Sequence, residues 1–187
     1  MMHQRMVKLI LILCASPWVV MPAAHSAELP WVLVDTAAHT VSVIKAGEVK
    51  ATFAHAALGR GGVASVHYKG DGRTPLGTFR VAWVNRNSRF HVFFGLDYPN
   101  DNQAEIALQR NKIDIDTYYD IRKAAYQGAL PPQDTNLGGY IGIHGLGHGN
   151  LALHRLANWT QGCIALTNDQ IDRLAQWVDI GTRVVIR

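Results

Sequence analysis

The chain is poor in cysteine, in net charge and in long apolar runs. Its 187 residues hold two cysteines, Cys14 and Cys163. Cys14 stands in the apolar stretch Leu9–Ala15, behind Arg5 and Lys8 and ahead of Ala24-His25-Ser26. That order of positive, apolar and small residues reads as an export signal over residues 1–26, cleaved there. A trimmed chain keeps one thiol, which excludes a disulfide within it. The apolar run is shorter than the roughly 20 residues a spanning helix needs, and no other segment comes closer. Leu13 directly before Cys14 argues against lipoprotein processing, which wants a small residue there. Of the 18 basic residues, Arg5 and Lys8 leave with the signal, so 16 face 14 acidic ones. A surplus of two excludes the basic stripe of a nucleic-acid binder.

What remains, residues 27–187, suits one domain with a sizeable core. Trp31 to Asp35 and Thr40 to Lys45 are β-branched runs joined by a polar turn, hence a hairpin, and Val49 to Leu58 extends it. Gly70, Gly72, Pro75 and Gly77 crowd into a loop before an alternating strand, Thr78 to Val84. Phe90 to Leu96 reads as another strand. Between Asp101 and Gln127 apolar residues recur at near-helical spacing, which predicts two short helices closed by Pro131-Pro132. Tyr140 to His144, Ile164 to Leu166 and Thr182 to Ile186 read as strands, and Asn168 as the N-cap of a helix from Asp169 to Val178. The fold expected is α+β, mainly β, with a helical insertion.

The remaining thiol lies in "TQGCIAL", residues 160–166. A glycine before a cysteine permits a backbone turn closed to other residues. Such a turn can aim the Gly162 and Cys163 amides at one point, as an oxyanion hole requires. Thiols attack as thiolates, so a base is needed. His144 ends the strand "YIGIH" and precedes Gly145, an accessible position from which an imidazole can be oriented through its second nitrogen. The rival reading makes His144, His148 and His154 metal ligands, with His67 or His91 nearby. Gly145, Gly147 and Gly149 make that stretch a poor helix, and no carboxylate completes an HExxH pattern. The thiol–imidazole pair is therefore preferred, and a buried, inert cysteine is the plain alternative.

"IGIHG" and "TQGCIAL", with 15 residues between His144 and Thr160, together resemble the catalytic signature of the YkuD-type L,D-transpeptidase family. "GDGRTPLGTFRV" resembles that family's T-P-x-G hairpin, and "YPN" and "GTRVVIR" its YafK-like branch. The resemblance covers residues 31–187. It implies a periplasmic enzyme of cell-wall biogenesis and cell shape, needing neither metal nor organic cofactor. By position Cys163 is the nucleophile, His144 the proton donor and acceptor, and the Gly145 carbonyl orients His144. Gly162 belongs to the oxyanion turn, and Thr160 is the motif's hydroxyl residue. Gln161 replaces the usual motif histidine and Ala165 the usual arginine or asparagine. Tyr140, Thr160, Gln161 and Arg73 are candidate substrate contacts. Trp159 reads better as a core aromatic.

The partners implied are peptidoglycan stem peptides and, in one branch, an outer-membrane lipoprotein. Three functions follow in order. The first is transpeptidation through a Cys163 thioester. The second is hydrolysis of a wall peptide or peptidoglycan–lipoprotein link by the same thiol, to which a mobile, glycine-rich loop at 146–150 would admit water. The third is a catalytically idle wall-binding module.

Overall fold

The computed structural model describes residues 28–187, so the expected signal segment 1–26 lies outside the described residues. Ten strands and four helices follow in chain order. They are β1 Trp31–Asp35, β2 Thr40–Lys45, β3 Glu48–Ala54, β4 Val63–Ala64, β5 Thr74–Pro75, β6 Gly77–Ser88, β7 His91–Leu96, α1 Asp101–Gln109, α2 Ile115–Tyr126, β8 Gly142–His144, α3 Leu151–Leu156, β9 Ile164–Ala165, α4 Asn168–Leu174 and β10 Arg183–Ile186. Eight strands form one sheet in the order β3-β2-β1-β10-β6-β7-β8-β9, and β4 pairs with β5 beside it. The mainly β architecture with a helical insertion is as the sequence predicts.

The two ends of the sheet are built differently. In β1 and β2 burial alternates, with Val32, Val34, Val41 and Val43 inside and their neighbours half-buried. That is the period of a strand with one face on the core. The pattern breaks toward the other edge, where β7 is buried at five consecutive positions, Val92 to Leu96, and β8 at all of its residues. The helical insertion packs through Gln103, Ala104 and Ala107 of α1 and Ile121 and Ala124 of α2, all buried. Asn100 and Asp114 cap these helices with their side-chain oxygens.

Three local expectations are corrected, and one element is added. The third strand ends at Ala54 rather than Leu58, because His55 takes φ 61° and turns the chain; Ala57 then bridges Ala165. Tyr140 is not in a strand, having φ 55°, and β8 starts at Gly142. The helix near the C-terminus is shorter and is capped by Thr167, not Asn168: Thr167 and Gln170 form a reciprocal capping box. A further short helix, α3, follows the glycine-rich loop and is capped by Asn150, whose Oδ1 accepts the Leu153 N–H at 3.0 Å.

Candidate active site

The thiol sits where a non-glycine could not precede it. Gly162 has φ 129°, and a Cβ there would stand 2.8 Å from the Arg73 carbonyl oxygen and 3.0 Å from Ile141 Cδ1. Thr160 closes this turn. Its hydroxyl accepts the Gly162 N–H at 3.1 Å and donates to the Cys163 carbonyl at 2.7 Å. The Gly162 amide is thereby engaged, which leaves the Cys163 amide as the turn's candidate oxyanion donor. The Cys163 thiol donates to the Tyr140 carbonyl at 3.4 Å. Burial pushes its pKa up to about 11, against a smaller downward pull from the Gly142 N–H.

His144 reaches the same place through strand pairing. β8 and β9 run parallel with Ile143 opposite Ile164 and His144 opposite Ala165. Continuing that register by one residue sets Cys163 beside Gly142. Side chains alternate faces along a strand, so His144 and Cys163 are diagonal neighbours on one face. A Cβ at Gly142 would stand 2.5 Å from the Phe94 carbonyl oxygen and 2.6 Å from the Phe93 ring, so this intervening position accommodates no side chain. Both residues line one cavity of about 440 Å³.

Aromatic rings hold the imidazole. Phe90 stacks on it at 4.2 Å between centroids, Phe93 at 5.6 Å, and Trp159 meets it edge-on at 6.0 Å. Its Nδ1–H donates to the Gly145 carbonyl at 2.7 Å, which leaves Nε2 with the lone pair. Burial lowers the His144 pKa to about 4; the Gly145 hydrogen bond opposes this, and the nearby His154 and Arg89 reinforce it. Across neutral pH the pair is thus a neutral thiol beside a neutral imidazole.

The other expected residues separate. Tyr140, Thr160 and Gln161 line the cavity, Tyr140 being 63% exposed with its N–H held by Gln133 Oε1 at 2.7 Å. The Arg73 side chain is exposed and lies outside the lining; its carbonyl hydrogen-bonds to His67 Nδ1 at 2.8 Å. The three histidines of the metal reading line three different cavities, His144 this one and His148 and His154 one each. The loop after His144 is tied down. Gly147 gives its N–H to Asn168 Oδ1 at 2.8 Å and takes Asn168 Nδ2–H at 3.0 Å.

Sequence reasoning missed Arg89, Phe90 and Phe93, which line the cavity, and read Trp159 as core, where it is half-buried in the cavity wall. Alternation could have found Phe93, which falls on the opposite face of its strand from Val92 and Phe94. His67 was set aside with the metal reading. It is buried beside the cysteine turn, near Asp71 Oδ1 at 2.8 Å, with its own carbonyl accepting the Tyr98 hydroxyl.

The chain belongs to the YkuD family, described as the L,D-transpeptidase catalytic domain, which it matches over residues 29–186. Among solved structures it is similar to the helical cell shape determining protein Pgp2 from Campylobacter jejuni, at 21% identity and a TM-score of 0.56, over 87% of this chain and 48% of that one. A single-site mutant of the same protein gives 20% and 0.58 over the same shares. Bd1075 from Bdellovibrio bacteriovorus gives 17% and 0.52, over 88% of this chain and 49% of that one. The chain thus spans about half the length of these structures, and at such identity the likeness is one of fold. No curated protein matches the chain.

Proposed function

We propose that this protein is an exported, periplasmic L,D-transpeptidase that works on peptidoglycan stem peptides through a Cys163 thioester. The observation that carries the reading is the pairing of His144 and Cys163 on one face of adjacent strands, with His144 Nδ1 fixed on the Gly145 carbonyl. His144 Nε2 takes the thiol proton as sulfur bonds to the carbonyl carbon at the L-centre of a diamino acid. The Cys163 N–H receives the developing oxyanion. The bond to the following D-amino acid breaks, and the proton on His144 passes to the departing amine. An acceptor amine, from a second stem peptide or a lipoprotein, then gives its proton to His144 as it attacks the thioester; the C–S bond breaks and His144 passes that proton to the departing sulfur, restoring the thiol. No step requires a cofactor.

Water in place of the amine makes the same site a thiol hydrolase of a wall peptide or lipoprotein link. The hydrogen bonds between Gly147 and Asn168 weigh against the mobile loop that would favour this outcome. The test supplies disaccharide tetrapeptide with and without excess amine acceptor and reads the products by mass spectrometry. Cross-linked or acceptor-exchanged peptides support transfer. Shortened peptides alone overturn it in favour of hydrolysis. An unchanged substrate together with a Cys163 thiol inert to alkylation leaves the idle wall-binding module.

A further inference from the structure

Trp159 stands between two histidines. Its ring meets His144 in the catalytic cavity, and its Nε1–H donates to His154 Nδ1 at 3.3 Å. His154 in turn lines a second cavity of about 350 Å³, together with His39, His55, Arg155 and Asn158, and the two cavities share no lining residue. This second cavity has no place in the proposed reaction.

Its chemistry is one-sided. No carboxylate lines it, while three imidazoles and a guanidinium do. An indole N–H only donates, so His154 Nδ1 must accept, and the neutral ring carries its proton on Nε2. That Nε2 is buried, in a residue only 3% exposed, and has no hydrogen-bond partner among the described residues. A buried donor without an acceptor is a standing cost that a ligand oxygen can relieve. Asn158 Oδ1 already accepts the Leu58 N–H at 2.8 Å, and the His39 ring is held on the Ala56 carbonyl at 3.0 Å, so the wall is braced on both sides. A metal ion fits poorly. Among the described residues no three His, Cys, Asp or Glu side chains are grouped to hold one, and Arg155 repels a cation.

We propose that this second cavity binds an oxyanion, a carboxylate or phosphate group, with His154 Nε2–H as a donor and Arg155 and His55 as its flanking basic groups. The bound oxygen accepts the Nε2–H that the indole already requires and strengthens the hydrogen bond to Trp159, whose ring walls the catalytic cavity. Occupancy is thus reported at the active site through one indole.

The experiment follows the Trp159 indole N–H resonance of the full chain by NMR, assigned with Trp159→Phe. Inorganic phosphate and N-acetyl-D-alanine are titrated separately at constant pH and ionic strength. The expected result is a saturable shift with at least one of them, weakened at least tenfold in the doubly substituted His55→Gln, Arg155→Gln chain. Both residues are exposed, so that variant should fold. Preference for phosphate identifies a phosphate-bearing ligand, and preference for the acyl amino acid a peptide carboxylate. A shift that does not saturate with either probe overturns the proposal. So does saturation unchanged in the double variant, which would put the ligand in the catalytic cavity. A cavity that responds to zinc ions and to neither anion overturns it as well.

Discussion

The β1–β2 end of the sheet and the β7–β8–β9 end contain the same kinds of secondary structure and serve opposite ends. At the first, two full strands alternate buried valines with half-buried neighbours and carry no unusual chemistry. At the second, strands of three and two residues are buried throughout and hold an imidazole between aromatic rings beside a thiol. The first end is stabilised by the burial of apolar area. The second depends on side-chain hydrogen bonds to backbone, such as Thr160 across the cysteine turn and Asn168 across the loop after His144. Substitutions at the first should change stability and spare chemistry; at the second the reverse should hold.

The sharpest break in that contrast is Cys163→Ala. Turnover should fall by at least about a thousandfold, roughly 4 kcal/mol in the barrier, with thermal stability little changed. A variant that still turns over substrate would remove Cys163 from the chemistry.

Acid should separate the two ends next. His144 has a folded pKa of about 4, below its usual 6.5, because burial disfavours the imidazolium. Between those values the unfolded chain binds the extra proton, so stability falls as pH drops from 6.5 toward 4 and is independent of this group above 6.5. The full contribution is at most about 3 kcal/mol. Denaturant unfolding across this range should show that slope in the native chain and a flatter one in His144→Gln. Equal slopes would mean that other groups carry the acid sensitivity.

His144→Ala should slow acylation of Cys163 by at least roughly a hundredfold, the scale of a lost general base. His148→Ala should change the rate far less, and stopped-flow alkylation or acylation of the thiol measures both. Comparable losses in the two would revive a histidine metal site.

At the opposite end, Val43→Ala should cost about 2 kcal/mol of stability, through lost burial and a residual void. kcat should be unaltered in the folded fraction. A drop in kcat there would show that the two ends are mechanically joined.

The smallest effect expected is from Asn168→Ala, about 1 kcal/mol, since it removes two hydrogen bonds to Gly147. If the loop's order excludes water from the thioester, the ratio of hydrolysis to transfer should rise in this variant. An unchanged ratio would detach the loop from the choice of acceptor.

What the sequence determined by itself was the material with a local signature. The hairpin of Trp31–Asp35 and Thr40–Lys45 is observed within the same bounds, because strict alternation is the period of a half-buried strand. The two helices of the insertion were legible for the analogous reason. Cys163 and His144 stood out through glycine punctuation and family resemblance. Tertiary structure decided the rest. It decided that Arg89, Phe90, Phe93 and Trp159 line the thiol's cavity while the Arg73 side chain does not, and that Asn168 ties a loop instead of capping a helix. It also decided that His154, ten residues beyond His144, lines a separate cavity. These placements follow from pairing between segments far apart in the chain, such as Phe93 with His144, His144 with Ala165 and Ala57 with Ala165. A short strand buried on both faces has no periodicity to read, and its neighbours are known only when the sheet has closed around it.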